Sequence, residues 1–222
     1  MNICFDLDGP LIDVSDRYYR AYLESLKGLG INEQQILNKA VFWELKRSRV
    51  TDIEIGLLTG LTIKEAKQSA DSRRVLSFKT EFLTLDKLFS DVYDVLNKLK
   101  SKDITIFLVT LRRKSQLYFA VKQFKLNRYF HDSFLYALDE DVEFQGDIHH
   151  KYMLLFNATK QLALNPANTI IVGDTETEIY AGRLAGYGKT ISITRGMRSR
   201  EGLHILNPDY IIDDLSGLLS LF

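Results

Sequence analysis

Short runs of apolar residues punctuate the chain: "NICF", "ITIFLVT", "SFLYAL", "TIIVGD", "KTISIT" and "DYIID", with helical patterns between them. The runs are rich in β-branched and aromatic residues and are continuous, not alternating, as strands buried on both faces must be. Strands of that kind belong to a parallel sheet covered by helices on both sides. The fold class is therefore α/β with a three-layer core. At 222 residues, 45% of them hydrophobic, the chain has the material for a large core with a modest insertion.

Residues 15–82 break the rhythm, because they hold helical patterns and no convincing strand. Tyr18, Tyr19, Tyr22, Leu23 and Leu26 form an apolar stripe at helical spacing that reads as packing, closed by Gly28. Thr51 with Glu54, and Thr62 with Glu65, read as capping boxes that open two further helices. The expected organisation is a core of residues 1–14 and 83–222 with a helical domain of residues 15–82 inserted. The hinges are expected near residues 13–16 and 80–86. No repeat, low-complexity tract or long linker interrupts this plan.

Charge excludes some function classes. Lysine and arginine balance aspartate and glutamate at 29 each, so no global basic field argues for nucleic acid. No stretch of about 18 apolar residues could span a bilayer, and no secretory leader is visible. The single cysteine, Cys4, lies in the first apolar run and reads as a small core residue in a reducing compartment. The expectation is a cytoplasmic protein, monomer or homodimer, without nucleic-acid or membrane partners.

The first run ends in Asp6 and Asp8, two apart and so on one face. Like-charged carboxylates raise one another's pKa unless a cation, a shared proton or a turn relieves them. "DGP" is good turn chemistry, so the pair alone does not prove a site. Other strand ends supply partners, since ligands in an open parallel sheet bind beyond the carboxyl ends of the strands. "ITIFLVT" ends at Thr110, followed by Leu111, Arg112 and Arg113. "TIIVGDTETEI" delivers Asp174, with Glu178 a helical turn later. Lys151 stands just before the helical pattern of "YMLLFNATKQLAL" and can reach the same edge.

With "FDLDGPL", "LVTLRR", Lys151 and "VGDTETEIYAGRLAG" in this order, the chain resembles the haloacid dehalogenase superfamily, in its phosphatase branch with a helical cap, similar to phosphoglycolate phosphatases. The resemblance covers essentially the whole chain and implies a Rossmann-like core with an α-helical cap domain inserted after the first motif. It implies Asp6 as the nucleophile that forms an aspartyl phosphate and Asp8 as the acid and base. It further implies Thr110 as a phosphoryl donor and Lys151 as the cation that offsets repulsion. Mg²⁺ is expected as cofactor, held by Asp6, the backbone carbonyl of Asp8, Asp174 and Glu178. An acid at position 8 points to phosphoryl transfer; family members that dehalogenate carbon lack it and work without metal.

Departures from the family pattern are Pro10, where threonine or valine is commoner, Glu178, where aspartate is commoner, and Tyr152 after Lys151, which leaves Lys114 as a weaker substitute. His149 and His150 read as exposed loop residues. A cap that closes over the phosphate would read the leaving group. Lys46, Arg47 and Arg49 in the insertion, with Thr110, Leu111 and Arg112 in the core, are the substrate-contact candidates, suited to an anionic group on a small phosphorylated metabolite. The expected activity is Mg²⁺-dependent hydrolysis of a small phosphate monoester. The alternatives are a mutase of the β-phosphoglucomutase type and a noncatalytic phosphate-binding protein.

Overall fold

The computed structural model describes residues 1–143 and 145–221. Along the chain lie β1 (Asn2–Phe5), β2 (Ile12–Asp13), α1 (Ser15–Ser25), α2 (Lys39–Arg47), α3 (Asp52–Leu58), α4 (Ile63–Leu76), α5 (Thr80–Leu83), β3 (Lys87–Leu88) and α6 (Val92–Ser101). They are followed by β4 (Thr105–Arg113), α7 (Lys114–Gln123), β5 (Leu135–Leu138), α8 (Asp147–Gln161), β6 (Thr169–Gly173), α9 (Glu176–Leu184), β7 (Lys189–Ile193), α10 (Arg200–Ile205) and β8 (Tyr210–Ile212). Each apolar run of the sequence thus supplies a strand.

The strands β5-β4-β1-β6-β7-β8 form one sheet in that order, parallel at every pairing. Cys4 sits opposite Phe107 on β4 and Ile171 on β6. With Val109, these side chains form a layer closed by Leu155 and Ala158 of α8 and Ala181 of α9, all buried. Phe5 points to the other face and meets the edge of Phe130, which follows α7. Burying such side chains stabilises the fold by about 1.5–3 kcal/mol each. After β1 the sheet grows through β4 to β5, and the chain then returns past β1 to β6. The strand order reverses between β1 and β6, and in sheets of this kind ligands bind beyond the carboxyl ends of the strands at that point.

The chain divides into two compact units, residues 1–13 with 88–222, and residues 14–87. The sequence places the far boundary at residue 82; the second unit extends to Lys87. Its physical reason is Asp86, which forms a buried ion pair with Arg17 of α1 (3.0 Å). The second unit has its own core of Tyr22, Leu26, Phe42, Ile55, Leu61 and Ala66, with Tyr22 and Phe42 stacked at 4.8 Å. Both capping boxes are formed: Thr51 and Thr62 each accept from a glutamate amide three residues on, and each glutamate accepts in return.

Two local expectations are corrected. The strand carrying Thr110 does not stop there but runs to Arg113, with its pairing to β5 shifted between Val109 and Arg113. The helix carrying Lys151 starts at Asp147, so Lys151 lies in its second turn and His149 and His150 are helical. His150 is buried, and its Nε2 accepts from the Gln145 amide at 2.8 Å.

Candidate active site

Asp6 follows β1 directly, and its amide still donates to the Val172 carbonyl (2.9 Å), so the β1 to β6 pairing holds the residue in place. The chain then turns sharply. Gly9 takes φ of 96°, its amide donates to the Ile12 carbonyl, and Asp8 pairs in a bridge with Ile12. A side chain at Gly9 would be strained and would collide with the carboxylate of Asp174. The turn therefore serves two purposes: it presents Asp8 and admits Asp174 against its backbone.

Asp174 follows β6, almost fully buried. Its Oδ2 accepts from the Met197 amide in the loop after β7, and the backbone of Gly196 presses on the same carboxylate so closely that a Cβ there would overlap it. Arg198 braces this loop through paired bonds to both oxygens of Glu176 (2.8 and 2.9 Å). These loop residues escaped the sequence reading. Their only signal was the glycine in "TRGMRSR" just beyond a strand.

Lys151 reaches from α8 with its ammonium fully engaged. Nζ donates to Asp6 Oδ1 (2.6 Å) and the Val109 carbonyl (2.9 Å), and pairs with Glu178 Oε1 (3.0 Å). The other oxygen of Glu178 closes the capping box of α9, accepting from Thr175 Oγ1 (2.6 Å). Thr110 is buried on β4, and its Oγ1 accepts from the Arg112 amide (3.2 Å). Arg112, two residues on, is 2% exposed, and its Nη2 pairs with Asp8 Oδ1 at 2.7 Å. Each aspartate of the opening motif thus has its own buried cation, Lys151 for Asp6 and Arg112 for Asp8.

Among protein groups alone, burial raises the pKa of Asp6, Lys151 draws it back, and Glu178 and Asp8 add to the rise; the result is about 7. Burial likewise pushes Asp174 well above the carboxylate range, with Glu178 and Asp6 contributing. For Lys151 burial opposes the charge, but Asp6 and Glu178 outweigh it, so its pKa is raised and it stays protonated. Four carboxylates, Asp6, Asp8, Asp174 and Glu178, face two cations, Lys151 and Arg112. Were all four ionised, two negative charges would be left without a protein cation, and burial resists that state. Carboxylate oxygens of Asp6, Asp174 and Glu178 lie within 4.8 Å of one another, a hard-oxygen set that fits a divalent cation. The side chain of Asp8 is outside this trio.

Lys114 pairs with Asp139 in an exposed position. Leu111 is half-buried. Lys46 and Arg47 fall in the last turn of α2 in the second unit, where Lys46 bonds Asp52 (2.9 Å) and Asp52 also binds Arg73.

The family model described as haloacid dehalogenase-like hydrolase matches residues 3–191. The chain belongs to this family. The pyrophosphatase PpaX of Bacillus mycoides (strain KBAB4) is 25% identical over 227 residues, covering 99% of this chain and 95% of its own. PpaX of Anoxybacillus flavithermus (strain DSM 21510 / WK1) is 26% identical with the same coverage. Among solved structures, a haloacid dehalogenase-like family hydrolase from Streptococcus pneumoniae superposes with a TM-score of 0.74 at 23% identity, covering 100% of this chain and 97% of its own. A family hydrolase from Deinococcus radiodurans R1, with bound phosphate and sodium, matches at 0.68 and 15% identity, covering 98% and 92%. These structures share the fold, and the chain is a hydrolase of this family with the acidic cluster at the carboxyl edge of its sheet.

Proposed function

We propose that this hydrolase is a Mg²⁺-dependent phosphatase of a small phosphorylated metabolite, acting through an aspartyl-phosphate intermediate on Asp6. The observation that carries the reading is the bond between Lys151 and Asp6 within a cluster of buried acids. A phosphate ester repels an anionic nucleophile, and fixed positive charge beside the nucleophile removes that obstacle. Asp6 and Asp174 would hold the magnesium. Glu178, with one oxygen on Lys151 and the other on the cap of α9, would buttress both. Bound metal supplies charge neutralisation for the acids and for the phosphoryl oxygens.

The protein groups then divide the work. Asp6 attacks phosphorus in line, breaking the bond to the leaving oxygen; Asp8 gives that oxygen its proton. Water, relieved of a proton by Asp8, displaces Asp6 in the second step and releases phosphate. Thr110 donates its hydroxyl to a phosphoryl oxygen without adding charge, and Lys151 orients Asp6 and favours its ionised form against the pull of burial.

The substrate class includes phosphate monoesters and, from the names of the relatives at about a quarter identity, pyrophosphate. The test is phosphate release from a panel of small esters and pyrophosphate, with and without Mg²⁺, for the native chain, Asp6→Asn and Asp8→Asn. Release that requires metal and falls at least about a hundredfold in both variants is expected. Undiminished turnover by Asp6→Asn would remove the covalent mechanism.

A further inference from the structure

The pairing of Arg112 with Asp8 is not required by the chemistry described so far, and it changes the role that the sequence suggested for Arg112. An arginine placed to grip an anionic substrate has its guanidinium open to that substrate. Here Arg112 is 2% exposed, and its Nη2 lies 2.7 Å from Asp8 Oδ1. The backbone explains the placement. Arg112 is two residues beyond Thr110 in a strand that continues to Arg113, both side chains are buried, and the shift in pairing with β5 falls between Val109 and Arg113. The Arg112 amide also donates to Thr110 Oγ1, which couples this residue to the phosphoryl-binding hydroxyl.

We propose that Arg112 is a positioning residue for Asp8, holding the carboxylate that exchanges protons with the leaving group and with water, and not a contact to the substrate. The inference rests on the phosphatase reading above. A guanidinium keeps its charge at any working pH, so the pairing holds the Asp8 carboxylate in place whether or not that carboxylate is carrying a proton. The contact is a buried ion pair, and a lysine ammonium at this position would keep the charge but not the planar shape that fills the site beside Asp8.

The experiment compares kcat/KM for glycerol 3-phosphate, whose alkoxide leaves poorly without a proton, and for 4-nitrophenyl phosphate, whose phenolate leaves unaided. The proteins are native, Arg112→Ala, Arg112→Lys, Asp8→Asn and the Arg112→Ala/Asp8→Asn double variant. Loss of acid positioning should lower the alkyl-ester value about tenfold or more, within the range of general acid catalysis, while the aryl ester loses far less. KM should change little, Arg112→Lys should recover part of the loss, and the double variant should be no worse than Asp8→Asn. Equal losses on both esters, a raised KM at unchanged kcat, or multiplicative effects in the double variant would overturn the proposal in favour of substrate contact. If Arg112→Ala gives no cooperative melt, Arg112→Lys and Arg112→Gln carry the same comparison. A native chain inactive on both esters and on pyrophosphate would sink the phosphatase reading and this inference with it; an active native chain with ester-independent losses would sink the inference alone.

Discussion

At the scale of single residues, the acids are placed by glycines as much as by their own neighbours. Gly9 and Gly196 let two backbones close on Asp174 from different parts of the chain. Replacing Gly196 by alanine would force a methyl group into that carboxylate, at a cost of about 1–3 kcal/mol for overpacking. Because Asp174 would turn away, Mg²⁺ affinity should fall about tenfold or more, as it does when the support of a metal ligand is disturbed. Titration calorimetry of the folded variant measures this, and unchanged affinity would deny Asp174 its place in the metal site. Asp6, Asp8 and Asp174 could be singled out in the sequence because each follows an apolar run, and Thr110, Lys151 and Glu178 because they complete the family's motifs in order. The partners of Asp8 and Asp174 could not. Arg112 is more than a hundred positions from Asp8, and Met197 belongs to a loop whose return to Asp174 depends on the order of strands, which no local pattern encodes.

Elements were more legible than their ends. Continuous apolar runs mark β1, β4, β5, β6, β7 and β8 because a strand buried on both faces has no polar side to show. The extension of β4 to Arg113 was hidden, since it depends on the shifted pairing with β5 and runs through two arginines that read as loop. Local chemistry did reveal the helix starts in the second unit, where threonine and glutamate three apart satisfy each other's amides. Thr62→Ala should therefore destabilise the protein by about 1 kcal/mol through the N-terminus of α4. Thermal or urea unfolding followed by circular dichroism checks it; an unchanged midpoint would mean that packing alone holds α4.

At the scale of the whole molecule, the clustered acids tie stability to metal and pH. In the metal-free fold the pKa of Asp6 is about 7, above that of an unfolded carboxylate, so folding favours its neutral form. Stability from this group is complete below the unfolded carboxylate pKa and is lost as pH rises through about 7. Asp174 acts in the same direction. A bound cation favours the ionised forms and reverses the trend. Protein treated with a chelator should accordingly melt at lower temperature at pH 7.5 than at pH 5.5, and added Mg²⁺ should raise the midpoint more at the higher pH. A pH-independent metal effect in scanning fluorimetry would show that the acids do not receive the ion.

The first unit also bears on how such a chain can change. Within that unit the Phe89 amide donates to the Leu11 carbonyl at 3.1 Å, so the points where the chain departs for the helical segment and comes back are neighbours. A gene for this enzyme could exchange everything between them for another module, or for a tight turn, without moving a strand of the sheet. The acidic cluster and whatever the inserted segment contributes can accordingly be inherited separately, the one kept while the other is traded.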